Sequence, residues 1–138
     1  MPRSRPNNKA PVIVDPEGPG GAPVAVFESG AILIYLAEKA GRLLSADPAQ
    51  RSRELQWLMV QVGTIGPMLG QCNHFQLMAP PGNDYSGQRY ATERRRILDM
   101  LERRLGESRF LGGADYSIAD VATFPWIRNM LGYAHPDV

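Results

Sequence analysis

Cys72 and His74 are the first residues whose side chains could hold a metal or supply a nucleophile. The chain has one cysteine and two histidines, the other being His135. That falls short of the ligand count and spacing of a structural zinc site, and a lone thiol forms no intramolecular disulfide. Packing and polar contact are therefore the expected use of this pair, and no metal is expected. Ser117 and Asp120 place a hydroxyl three residues before a carboxylate. A catalytic pair is one reading of that spacing. The other is a helix-capping box with Asp in place of Glu or Gln, flanked by Tyr116 and Val121 at the two staple positions. Capping is the expected role, the Ser117 oxygen accepting from the Asp120 amide and contributing about 1 kcal/mol. Arg94-Arg95-Arg96 and Arg103-Arg104 could bind an anion. Glu93, Asp99, Glu102 and Glu107 answer them, and Asp99 stands four residues before Arg103. A solvated helix face is the expectation for the cluster as a whole. The chain carries no GxSxG elbow, P-loop, HExxH or Rossmann glycine pattern.

Two kinds of element must position these residues. Val12-Ile13-Val14 and Val24-Ala25-Val26-Phe27 are short apolar runs separated by the glycine- and proline-rich segment Glu17 to Pro23. They read as a β-hairpin. From Ser29, an N-cap candidate, Ile32, Leu33, Leu36 and Ala37 follow at helical spacing as far as a stop at Gly41. Asp47-Pro48 starts a second helix with Leu55, Leu58, Met59, Val62, Ile65 and Leu69 on one face. Gly63, Gly66 and Pro67 should bend it, because proline cannot donate to the ladder. A third helix covers about Ser86 to Gly106, with Tyr90, Ile97, Leu98, Leu101 and Leu105 as its apolar stripe. A fourth begins at Ser117.

Length and composition agree with a small folded protein. The 138 residues suit one domain by the length prior and can bury roughly two-thirds of the unfolded surface. Fourteen glycines and twelve prolines stay below the roughly 25–30% of low-complexity chains. A net charge of +1 argues against a dedicated nucleic-acid binder. Met1 to Lys9 is basic, with no apolar stretch behind it, and so does not read as a secretory signal. Leu55 to Asn83 has no charged residue, but glutamines, glycines and Pro67 interrupt it. It reads as a buried helix and its exit rather than as a membrane span, which needs ~20 predominantly apolar residues. A cytoplasmic protein is expected.

Three segments carry a family resemblance. Asn8-Lys9-Ala10-Pro11-Val12-Ile13-Val14-Asp15 resembles the N-K-x-P-x-I/L-x-D segment of glutathione transferases. Phe27-Glu28-Ser29-Gly30-Ala31-Ile32-Leu33-Ile34-Tyr35-Leu36 resembles their E-S-x-A-I-x-x-Y-L segment. Phe110-Leu111-Gly112-Gly113 followed by Ser117-Ile118-Ala119-Asp120 is similar to their F-L-x-G…S-I-A-D. The matches occur in the family's order over about residues 7–131. Leu55-Gln56-Trp57, Gly66-Pro67-Met68-Leu69-Gly70-Gln71 and His74-Phe75 resemble the bacterial nu-class, a disulfide-reductase-like branch.

The resemblance implies a mostly α protein. Residues 1–42 would be a partial thioredoxin-like α/β domain, a β-hairpin plus helix. Residues 43–138 would be an all-α glutathione-transferase C-terminal bundle. Glutathione would be the co-substrate, and the chain would work as a homodimer. Ala10-Pro11 would be a cis peptide that turns the Ala10 N–H and C=O outward, toward the cysteinyl backbone of glutathione. Glu28 would accept from the γ-glutamyl ammonium. Ser29 would offer its hydroxyl and a helix N-terminus to the γ-glutamyl carboxylate. Tyr90-x-x-Glu93-x-x-Arg96 resembles a nu-class segment whose arginine reaches glutathione from the neighbouring subunit, and Arg96 is the residue assigned that part. A guanidinium grips a carboxylate bidentately.

The chain also departs from the family pattern. The strand–helix–strand unit that precedes N-K-x-P in the family takes roughly 30 residues or more. Only Met1 to Pro6 stand before Asn7-Asn8 here, so no residue is assigned to activating the glutathione thiol. Cys72 occupies a position where nu-class members tend to have Asn and reads as a buried or interface thiol. The family continues through further helices beyond the point where this chain ends. A two-stranded hairpin is marginal alone, and its first strand would expose an edge. The expectation is a chain of low stability, or one that completes itself by association. Two functions follow from these readings. One is a glutathione transferase or glutathione-dependent disulfide reductase, and the other a non-catalytic binding or dimerisation module.

Overall fold

The computed structural model describes residues 6–132. His135 and the first five residues lie outside the described residues. The chain divides into two compact units, Met1–Leu44 and Ser45–Val138.

The first unit is a hairpin followed by a helix. β1 (Val12–Asp15) and β2 (Val24–Phe27) pair antiparallel, with Val12 opposite Phe27 and Asp15 opposite Val24. Between them Gly20 and Gly21 take φ of 72° and 77° in a short 3-10 turn, a conformation open to glycine. α1 (Ser29–Ala40) begins after the single residue Glu28. The N-cap is Glu28 rather than Ser29, which is already helical, and no side chain caps the first turn. Ile32 and Ala37 are buried, whereas Leu36 is exposed. Two strands cover a narrower face than the sequence pattern offers. α1 stops as expected at Gly41, where φ is 63°. There the Arg42 N–H donates to the Ala37 carbonyl at 3.1 Å.

The second unit is a helical bundle. Asp47 starts α2 (Pro48–Val60) by accepting from the Gln50 amide at 2.7 Å. The expected bend takes another form. A π-helical turn, Gln61–Ile65, carries the chain directly into α3 (Gly66–Asn73), and a second π-helical turn follows at His74–Met78. Pro67 thereby falls in the first turn of α3, immediately after the π turn. Gly66 also has a packing reason, since an added Cβ would stand 3.2 Å from the Trp126 ring. α4 (Asp84–Glu107) and α5 (Ile118–Gly132) complete the unit.

Ile65, Leu69, Ile97, Leu101, Leu111, Ala119 and Met130 form its core. Met59, Val62 and Leu105, expected inside, are exposed. α2 buries Leu58, which turns its neighbour Met59 outward, and at the π turn Gln61 is buried while Val62 faces out. No described helix is long and apolar enough to cross a membrane.

One half of the Ser117–Asp120 capping box is present, the carboxylate reaching back to the Ser117 amide, while the Asp120 amide donates to the Ser117 carbonyl at 3.1 Å instead of the hydroxyl. The Asp120 carboxylate accepts from the Ser117 amide and hydroxyl at 3.0 Å each and from the Leu111 amide at 2.9 Å. The Ser117 hydroxyl donates to the carboxylate instead of accepting from the Asp120 amide. This structural use accounts for both residues.

Candidate functional site

The end of the hairpin where β1 starts and β2 finishes holds a cavity of about 170 Å³. It is lined by Asn7, Lys9, Ala10, Pro11, Phe27, Glu28 and Ser29. Four of the five site residues named from the sequence therefore meet in one place: Ala10, Pro11, Glu28 and Ser29. Antiparallel register brings them together. Pairing Val12 with Phe27 sets the segment before β1 beside the segment after β2. The Ala10–Pro11 peptide bond is cis, as the resemblance implies.

α1 opens into this cavity. The first intrahelical bond runs from the Ile32 amide to the Glu28 carbonyl at 2.9 Å. The preceding amides of the first turn are thus left over as donors, at the positive end of the helix dipole. Such a terminus suits a carboxylate. Glu28 holds φ at 69° and ψ at 123°, a region that L-residues avoid. Holding a non-glycine residue there costs on the order of 1–3 kcal/mol, and such strain gathers at ligand sites. The cavity combines a carboxylate at Glu28, an ammonium at Lys9, a hydroxyl at Ser29 and a helix N-terminus. That set complements a zwitterionic ligand bearing carboxylates. Asn7 and Lys9 received no role from the sequence, although Lys9 lies within the quoted motif. A cation two residues before the proline was the available signal.

Arg96 belongs to the second unit. It is exposed on α4, and its Nη2 pairs with Glu93 at 2.9 Å. Asp99 and Arg103, the pair expected from spacing, form no ion pair among the described residues. The arginine cluster is not uniformly solvated, because Arg94 is 1% exposed. Its Nη1 donates to Gln76 Oε1 at 2.6 Å and lies 3.4 Å from Cys72 Sγ. A guanidinium on a long arm reaches inward once the second π turn presents Gln76 to α4. Cys72 is fully buried, as expected. Phe75 and Tyr90 stack at 5.4 Å with rings nearly parallel, joining that turn to α4. Among the described residues no group of three or more His, Cys, Asp or Glu side chains could hold a metal ion.

Comparison with known proteins agrees with this arrangement. Residues 84–138 match the family described as the glutathione S-transferase C-terminal domain. The disulfide-bond oxidoreductase YfcG of Escherichia coli is 52% identical over 127 residues, which are 91% of this chain and 59% of that protein. The disulfide-bond oxidoreductase YghU of the same organism is 39% identical over 91% of this chain and 43% of its own length. Among solved structures, a glutathione transferase from Burkholderia graminis with two glutathione molecules bound per subunit superposes with a TM-score of 0.90 at 49% identity, covering 94% of this chain and 55% of that one. A glutathione transferase from Pseudomonas putida with one glutathione disulfide bound per subunit gives 0.88 at 52% identity, covering 92% and 56%. The chain thus spans between 43% and 59% of the length of these relatives. The hairpin and α1 are the thioredoxin-like part, the second unit is the helical part, and the chain belongs to the glutathione transferase family.

Proposed function

We propose that this chain binds glutathione in the cavity of an N-terminal domain, residues 1–42, and serves in a glutathione transferase or glutathione-dependent disulfide reductase. The observation that carries this reading is the meeting of Ala10, Pro11, Glu28 and Ser29 around one cavity. The Ala10 backbone would pair with the cysteinyl backbone of glutathione. Glu28 would accept from the γ-glutamyl ammonium, and Ser29 with the α1 N-terminus would hold the γ-glutamyl carboxylate. Lys9 adds a cation for a second carboxylate.

With glutathione bound as the thiolate, its sulfur would attack one sulfur of a disulfide substrate. A mixed disulfide forms and the other sulfur leaves as a thiolate, which takes up a proton. A second glutathione thiolate would then displace the substrate's remaining sulfur and give glutathione disulfide. In the transferase reaction the same thiolate would attack an electrophilic carbon. No described residue is assigned to activating the thiol.

The helical domain, residues 43–138, would contribute Arg96 across a homodimer to the glycyl carboxylate, exchanging Glu93 for the ligand. The exposed Met59 and Val62 on the α2 side support a surface for a second copy. The same exposure favours the alternative, a non-catalytic binding or dimerisation module. Cytoplasmic location belongs to the proposal as well.

Calorimetry of the purified chain with glutathione, with Ser29→Ala as control, tests the reading. Binding that Ser29→Ala abolishes is the expected result. A folded chain that takes up no glutathione at millimolar concentration would leave the module reading.

A further inference from the structure

A polar cluster stands at the end of the hairpin opposite the cavity. Asp15 closes β1, three residues and about 10 Å along the strand from Val12. Its Oδ2 accepts from the Tyr35 hydroxyl at 2.5 Å and from Lys39 Nζ. Its Oδ1 accepts from the Glu17 amide at 2.9 Å. Lys39 Nζ also donates to the Glu17 carbonyl at 2.9 Å, so the exit of β1 and the C-terminal half of α1 share one set of bonds.

We propose that Asp15, Tyr35 and Lys39 are positioning residues for the ligand, holding α1 at the angle that aims its N-terminus across the cavity at Ala10 and Pro11. This assignment rests on the glutathione reading above. The hairpin and α1 are two arms joined at Glu28. Ser29 and Tyr35 stand about 9 Å apart along the helix, so the bonds to Asp15 act well away from the joint. The apolar packing of α1 on the hairpin is thin. Of the apolar side chains of α1 only Ile32 and Ala37 are buried, and the strand residues facing them are half-buried at best.

The joint itself favours relaxation, because Glu28 carries a left-handed φ of 69° with no glycine to ease it. A strained residue keeps such a conformation only where its surroundings over-determine it. Tyr35 and Lys39 supply that constraint from the far end of the helix. Relaxation of the Glu28 joint as α1 tilts would re-aim the Glu28 carboxylate and the first-turn amides while leaving the Ala10–Pro11 edge in place. The cluster should therefore control the γ-glutamyl end of the ligand and spare the cysteinyl end.

The full chain and its variants Tyr35→Phe, Asp15→Asn and Lys39→Arg are compared by calorimetry with two ligands. One is S-hexylglutathione. The other is S-hexylcysteinylglycine, which lacks the γ-glutamyl group. Circular dichroism fixes a temperature at which each variant is folded. Tyr35→Phe and Asp15→Asn should lose at least about tenfold in affinity for S-hexylglutathione, since small misplacement of binding groups is costly. Their affinity for S-hexylcysteinylglycine should stay native, and Lys39→Arg should retain both. Native affinity of the folded variants for S-hexylglutathione overturns the assignment, as does equal loss of both ligands. Failure of both Asp15→Asn and Tyr35→Phe to fold makes the cluster a stability element and overturns it too. A native chain that binds neither ligand refutes the glutathione reading itself, and this inference with it.

Discussion

Asn7 Nδ2 donates to Glu28 Oε1 at 3.3 Å, linking the segment before the proline to the joint between β2 and α1. One long bond leaves the carboxylate accessible, and among the described residues Oε2 accepts none. An ammonium group could take that place. The same residue carries the strained backbone of the cavity.

Glu28→Gly should therefore separate stability from binding. Glycine relieves the strain at φ 69°, so the fold is expected to hold or to gain about 1 kcal/mol in chemical denaturation. Glutathione affinity should fall at least about tenfold, because a charge-assisted contact is lost. Unchanged affinity in calorimetry would remove Glu28 from the site.

Acid should loosen the first unit through Asp15. Lys39, then Tyr35, then the Glu17 amide hold its carboxyl down to about 2 from the ordinary 3.8. The same carboxylate pushes Tyr35 and Lys39 up. A carboxyl depressed on folding stabilises the native state above its unfolded pKa and stops doing so as pH falls through the folded one. Melting temperatures of the native chain and Asp15→Asn should differ above about pH 4 and converge toward about pH 2. A difference that persists unchanged to pH 2 would contradict the assignment.

Asp120→Asn should destabilise the second unit strongly. It removes the charge that takes three buried hydrogen bonds, from Leu111 N and from Ser117 N and Oγ. A loss of about 3 kcal/mol is expected by urea denaturation, against about 1 kcal/mol for Ser117→Ala. Equal losses would mean that the hydroxyl, not the carboxylate, organises the start of α5.

Gly112→Ala tests the packing under that loop. An added Cβ would stand 2.6 Å from Glu54 Cγ and 3.1 Å from Ser117 Oγ. Glu54 is buried and accepts from the Ser45 amide and from Gln50 Nε2, so it has little room to move. A cost of about 1–3 kcal/mol is expected. A melting temperature equal to that of the native chain would show that Glu54 yields.

Local rules made much of this protein legible in the sequence. Asp47 and Gly41 fixed helix ends through bonds to residues a few positions away, which is the range that local patterns report. Val12 and Phe27 disclosed a hairpin, and the motif around Ala10, Pro11, Glu28 and Ser29 named four residues that line one cavity. Tertiary structure decided the rest. Nothing local shows that Arg94, one of three consecutive arginines, turns inward to Gln76 while Arg96 stays outside with Glu93. At the π turn Gln61–Ile65 it is Gln61 that is buried and Val62 that faces out, a choice the apolar spacing does not show. The Leu111 amide, nine residues from Asp120, takes the other oxygen of the capping carboxylate, a partner no local pattern names. The cavity itself exists because antiparallel pairing brings residues some seventeen positions apart side by side. A linear pattern can name such residues, and only the folded chain sets the distance between them.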